Sequence, residues 1–241
     1  MRHLWIAVAA LLLASGRAGA GAAQEQPDVT ELLRGRIEAL VSAGAARAAG
    51  EPLHALNALP RFYESRGFNP AWRVEADGPG RDLRELLTSI GSARSHGLDP
   101  EDYHRAAVAE ILARPAEALD DLARADLDLL ATDAFLVLGS HLLHGRVNPE
   151  TIDPEWLANR RSTLMDSVLT AALGDRRVRS SLRNLAPRQP RYRRMMEVAS
   201  RLRVVVRDGG WPEVPAGPRL DIDSVGQRVV ALRARLVASG D

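Results

Sequence analysis

Apolar residues recur at helical spacing along most of this chain. Leu32, Leu33, Ile37, Leu40 and Val41 form one stripe behind Asp28, which is placed to cap a first helix. The small, weakly patterned residues from Gly44 to Gly50 predict that this helix is only loosely attached. Leu56–Arg66 reads as a short helix stopped by Gly67, followed by a turn, Phe68-Asn69-Pro70-Ala71-Trp72, with two buried aromatics. After a second turn at Asp77–Gly80, Leu83, Leu86, Leu87, Ile90 and Ala93 mark a helix ended by Gly97. Asp99 and Pro100 open the next, which runs to about Ala113, with Glu101 and Asp102 complementing the positive end of its dipole. The longest helix spans Leu119 to His144. It is apolar nearly all round from Leu127 to Leu143, which predicts a central position. Helices at about Arg161–Leu173, Asp175–Leu185 and Pro190–Asp208 follow. Few runs alternate with period two and no internal repeat is present, so the predicted class is all-α: an irregular multi-helix domain.

The pattern breaks at Gly209-Gly210-Trp211-Pro212, and 213–223, with Pro215 and Pro218, reads as a linker. Beyond it Gly226, Val229, Leu232, Leu236 and Gly240 again fall at helical spacing. Residues 224–241 therefore read as the opening helix of an incomplete small helical domain whose apolar face lacks partner helices. At the other end, Arg2 and His3 precede the apolar run Leu4–Ala14, and Ala18-Gly19-Ala20 or Ala20-Gly21-Ala22 fits a small-residue cleavage site. Residues 1–22 are thus expected to be a secretory signal peptide, the run being about half the ~20 residues that span a bilayer. No stable membrane span is expected after its removal, and 21–27 is expected to be unstructured. Residues 23–52 are read as a partly helical extension and 53–212 as the main domain.

Export changes how composition is read. The chain has no cysteine, so its core must hold without disulfides, and it offers neither a thiol nucleophile nor cysteine-ligated zinc. Net charge is +1, and every basic residue other than histidine is arginine. Two arginine clusters, Arg176, Arg177, Arg179 and Arg183, then Arg188, Arg191, Arg193 and Arg194, suit a solvated helix face or an anionic envelope polymer. Nucleic acid is the least suited partner for an exported chain.

Candidate chemistry is sparse. His141 and His144 stand at i and i+3 and could share a metal, with Asp133 as a third ligand. No H-E-x-x-H arrangement accompanies them, and histidines near a helix C-terminus also serve the dipole. Tyr103, His96, His104 and Asp99 could form an acid–base cluster, although each has a local helix-end or packing role. Asp120/Asp121 and Asp126/Asp128 raise glycoside cleavage, but they read as acidic residues at the exposed start of a helix. No serine lies in a nucleophile elbow, and no phosphate loop is present. We therefore assign no catalytic, cofactor-binding or metal residue and no cofactor from sequence.

Four blocks in order carry a family resemblance: Arg66–Trp72 (RGFNPAW), His96–His104 (HGLDPEDYH), Thr132–Pro149 (TDAFLVLGSHLLHGRVNP) and Gly209–Pro215 (GGWPEVP). With the closing GQRVVALRARLVASGD, they resemble the N-terminal scaffold region of large murein L,D-transpeptidases, over roughly Leu53 to Asp241. The resemblance implies a non-catalytic part of a periplasmic enzyme of peptidoglycan cross-linking and cell-wall biogenesis. It also implies that residues 224–241 begin a peptidoglycan-binding-like domain. The implied partners are peptidoglycan and a separately encoded catalytic domain bearing the cysteine; a free-standing binding module of the envelope is the alternative. Within the blocks, Phe68, Trp72 and Trp211 are expected to supply buried area.

Overall fold

A computed structural model describes residues 28–147 and 163–240. The signal segment, the stretch 21–27, Pro149 and the start of the helix expected from Arg161 lie outside the described residues.

The described residues are overwhelmingly helical. The helices are α1 (Val29–Ala43), α2 (Ala58–Ser65), α3 (Arg81–Ser92), α4 (Arg105–Leu112), α5 (Asp121–His144), α6 (Met165–Gly174), α7 (Val178–Leu185), α8 (Pro190–Arg207) and α9 (Gln227–Ser239). Short 3-10 turns at Ala93–His96, Pro100–Tyr103 and Ala116–Ala118 connect some of them. Two antiparallel hairpins of two-residue strands interrupt the pattern: β1 (Arg47–Ala48) with β2 (Glu51–Pro52), and β3 (Val74–Glu75) with β4 (Gly78–Pro79).

α5 is the axis of the fold. Asp120 caps it, accepting from the Ala123 N–H at 2.8 Å. Because its sequence is apolar nearly all round, it can be surrounded, and α1, α2, α3, α4, α6 and α7 all pack on it. Among the described residues it is the helix long and apolar enough to cross a membrane, but 72% of its apolar window is buried inside the protein. Gly139 lets α6 and α7 approach: a Cβ there would sit 3.0 Å from Met165 Sδ and 3.2 Å from Leu185 Cδ1.

Four local expectations change. α1 is firmly attached, with Leu33, Ile37 and Leu40 buried against the core and Arg36 paired with Asp126 on α5 at 3.0 Å. The unpatterned 44–50 stretch misleads because it is largely the β1–β2 hairpin, held by backbone bonds that need no apolar period. The helix expected from Asp99 to Ala113 is broken at His104, whose φ of +56° ends one turn and starts α4. Of the three aromatics expected to be buried, Trp72 is, Phe68 is half-buried under the Arg34 guanidinium, and Trp211 is 42% exposed with Arg235 over its ring.

α8 and α9 differ from the rest: neither contains a buried residue. α8 meets the core at the 3-10 turn before Gly97, where Tyr192 Oη lies 2.8 Å from His96 Nδ1. α9 leans on the linker instead, through Arg228 Nε, which donates to the Pro215 carbonyl at 2.8 Å.

Candidate functional site

The polar chemistry gathers along the buried surface of α5, at two junctions. An apolar helix that carries Asp128, Thr132 and Asp133, each at most 2% exposed, must give those groups partners or lose several kcal/mol on burying them.

Asp128 takes the first junction. Its Oδ1 accepts from Tyr63 Oη at 2.7 Å, and its Oδ2 accepts from the backbone N–H groups of Ala71 at 2.8 Å and Trp72 at 2.9 Å. Thr132 Oγ1 closes the network, 2.9 Å from Tyr63 Oη and 3.0 Å from the donating Trp72 Nε1. The Phe68–Trp72 turn has no regular ladder for these N–H groups, and the carboxylate supplies the acceptors. Burial pushes the Asp128 carboxyl up to about 6, against the bonds from Trp72, Tyr63 and Ala71 that favour its ionised form. Burial also lifts the Tyr63 phenol well above its ordinary range, with Asp128 adding to it, so Tyr63 stays a neutral donor.

Asp133 holds the second. Oδ1 accepts from the His54 and Ala55 N–H groups at 2.9 and 2.7 Å, and Oδ2 lies 2.8 Å from His104 Nε2. His104 is itself buried, with its ring stacked at 5.7 Å on His54 and Glu51 Oε2 3.9 Å from its Nδ1. Beside it Tyr103 Oη lies 3.0 Å from His141 Nδ1. Burial raises the Tyr103 phenol to about 12, while burial and then Arg146 lower the His141 imidazole.

The second junction backs onto a groove of about 380 Å³ lined by His54, Arg61, Ser140, His141, His144 and Met165 among others. The His141 imidazole on its wall, lowered and so held neutral, can exchange hydrogen bonds with a polar ligand. Ser140 Oγ stands 3.3 Å from His144 Nδ1, long for a nucleophile and its base.

The candidates drawn from sequence are dispersed. Both oxygens of Asp133 are committed to His54, Ala55 and His104, so Asp133 does not join His141 and His144, and no group of three metal-capable residues occurs among the described residues. His96 pairs with Tyr192, Tyr103 with His141 and His104 with Asp133, while Asp99 caps its turn by accepting from the Glu101 N–H. The four aspartates also separate. Asp120 is a cap and Asp121 lies in the first turn, but Asp126 is paired with Arg36, and Asp128 is buried instead of lying at an exposed helix start. All eight arginines of the two clusters are exposed.

The two junctions were missed in the sequence. Their signal was present in polar residues inside the most apolar helix, but their partners lie 29 to 79 positions away.

A family model described as a scaffold domain matches residues 57–198, more than half of the 241-residue chain. The chain belongs to the scaffold-domain family. The matched span of this scaffold domain contains Tyr63, Trp72, Tyr103, His104, Asp128 and Asp133, the groups that tie its loops to α5, and it accords with the L,D-transpeptidase scaffold resemblance. No curated protein and no solved structure matches the chain. The scaffold domain's buried polar residues hold loops in place, and the chain has no cysteine to act as a thiolate.

Proposed function

We propose that this chain serves as the non-catalytic scaffold portion of an exported, periplasmic murein L,D-transpeptidase involved in peptidoglycan cross-linking. The observation that carries the reading is the scaffold-domain match over 57–198, joined to the ordered blocks RGFNPAW, HGLDPEDYH and TDAFLVLGSHLLHGRVNP. The role of the domain is then positional: it presents a rigid body on which substrate or a catalytic domain sits. The thiolate comes from a separate polypeptide or domain. Incubating the pure chain with disaccharide-tetrapeptide should give no cross-linked product, and any turnover would sink the reading.

The exposed arginines of α7 and α8 and the unburied faces of α8 and α9 favour a second reading, a free-standing peptidoglycan- or partner-binding module. Residues 224–241 would supply the beginning of a peptidoglycan-binding-like unit. Co-sedimentation with purified sacculi tests the second reading: a chain that remains in the supernatant at low salt rules out its peptidoglycan-binding form. If arginine contacts dominate, capture should fall as salt rises.

A further inference from the structure

A cavity of about 460 Å³ opens between the β3–β4 hairpin, the start of α3 and the end of α6. Arg66, Arg73, Arg81 and Arg176 line it, with Glu75 and Asp82. Two of the arginines are occupied. Arg66 donates to the carbonyls of Asn69 and Pro70, and Arg81 pairs with Glu85 at 3.2 Å. Arg73 and Arg176 are exposed, and neither makes a side-chain hydrogen bond or ion pair among the described residues. Arg176 is carried on left-handed backbone, φ +54°, a conformation that a residue other than glycine adopts at some cost.

The helix start on the cavity wall adds to the positive field. Gly80, the cap of α3, makes no side-chain capping bond, so first-turn N–H groups keep their hydrogen-bonding capacity. A capping side chain has no room there, because a Cβ on Gly80 would meet the Arg73 carbonyl oxygen at 3.0 Å and Arg73 Cβ at 3.2 Å. The same wall carries an unsatisfied acceptor: Asp82 Oδ1 is buried with no hydrogen-bond partner among the described residues. A buried carboxylate oxygen without a donor is costly and rare.

These features select a ligand chemistry. Free guanidinium forks and open N–H groups favour carboxylate or phosphate oxygens. Asp82 and Glu75 repel a dianionic phosphate and call for N–H donors, and a peptide brings carboxylates and N–H groups together. We propose that this cavity is a binding site for an acidic peptide, with Arg73 and Arg176 gripping its carboxylates and Asp82 accepting a ligand N–H. The assignment goes beyond the cell-wall reading and does not depend on it.

The test is calorimetric titration of the full chain with an end-blocked tetrapeptide containing two glutamates, its glutamine counterpart, and inorganic phosphate. The acidic peptide should bind, and the glutamine version should bind at least roughly tenfold more weakly. The double variant Arg73→Gln, Arg176→Gln should lose at least about tenfold in affinity with an unchanged melting temperature, because neither side chain holds a partner among the described residues. The pair Arg193→Gln, Arg194→Gln on α8 should bind as the parent does. No binding, equal binding of phosphate, or undiminished binding by the Arg73/Arg176 double variant would each overturn the assignment. Sacculus co-sedimentation of the same variant tests the envelope reading separately, and either result can fail without the other.

Discussion

His104 Nε2 and Asp133 Oδ2 meet at 2.8 Å in a place closed to solvent, joining the left-handed break before α4 to the middle of α5. Asp133 also accepts two backbone N–H groups just after the β1–β2 hairpin. One carboxylate therefore fixes three chain segments, and Asp133→Ala would strand three donors at once. The expected loss is on the order of 3–5 kcal/mol of unfolding free energy. Asp133→Asn, which keeps one acceptor oxygen, should lose less. Urea unfolding monitored by circular dichroism measures both, and a loss below about 1 kcal/mol for the alanine variant would contradict the role given to the junction.

Asp128 offers a test whose sign is set by pH. Its carboxyl is raised from 3.8 to about 6 in the folded protein, burial being the largest cause. The folded state takes up that proton before the unfolded chain does. Its contribution to stability is therefore present in full below the ordinary value and is lost as pH rises through about 6. The stability of the parent minus that of Asp128→Asn should fall between about pH 4 and pH 7, by up to roughly 3 kcal/mol. An increase over that range would mean that the three donated hydrogen bonds outweigh burial.

The attachment of α8 rests on few contacts, with Tyr192 Oη at 2.8 Å from His96 Nδ1 as its polar anchor. Burial lowers the His96 imidazole from its ordinary 6.5. A depressed imidazole leaves docking at full strength above the ordinary value and weakens it as pH falls through the folded value. Amide-exchange protection factors in α8 should drop in Tyr192→Phe, and in the parent as pH is lowered below about 6.5, while α5 keeps its protection. Equal loss in both helices would show that α8 is part of the cooperative core.

The segment from Gly209 onward should be cut first by an arginine-specific protease. Arg233 is exposed, α9 has no buried residue, and its ties run to the linker. The trimmed product retaining α1 to α8 should melt within about 2 °C of the parent, because the lost residues bury almost nothing in the core. A larger fall would show that α9 stabilises the scaffold.

Periodic burial made much of the fold legible. The stripe of α3, the all-round apolar surface of α5, the caps at Asp28 and Asp99 and the break at Gly209 are local signals, since a helix face or a capping carboxylate acts within one or two turns. The absent cysteine likewise excludes thiolate chemistry wherever the chain folds. Local reading failed at α1, whose three buried side chains gain their cover from α2 and α5, and at Trp211, which stays exposed with Arg235 over its ring.

The pairings of the polar residues followed from packing. In sequence Asp133 stands only as a third ligand beside His141 and His144, a pair that more readily serves the helix end; helix rotation and the arrival of His54, Ala55 and His104 make it a structural acceptor. Asp128 is in the same position relative to Tyr63 and Trp72. Periodicity encodes which face of a helix is buried because burial depends on neighbours a turn away. Which groups then meet across the core depends on segments that become neighbours when the chain closes, and no local spacing carries that information.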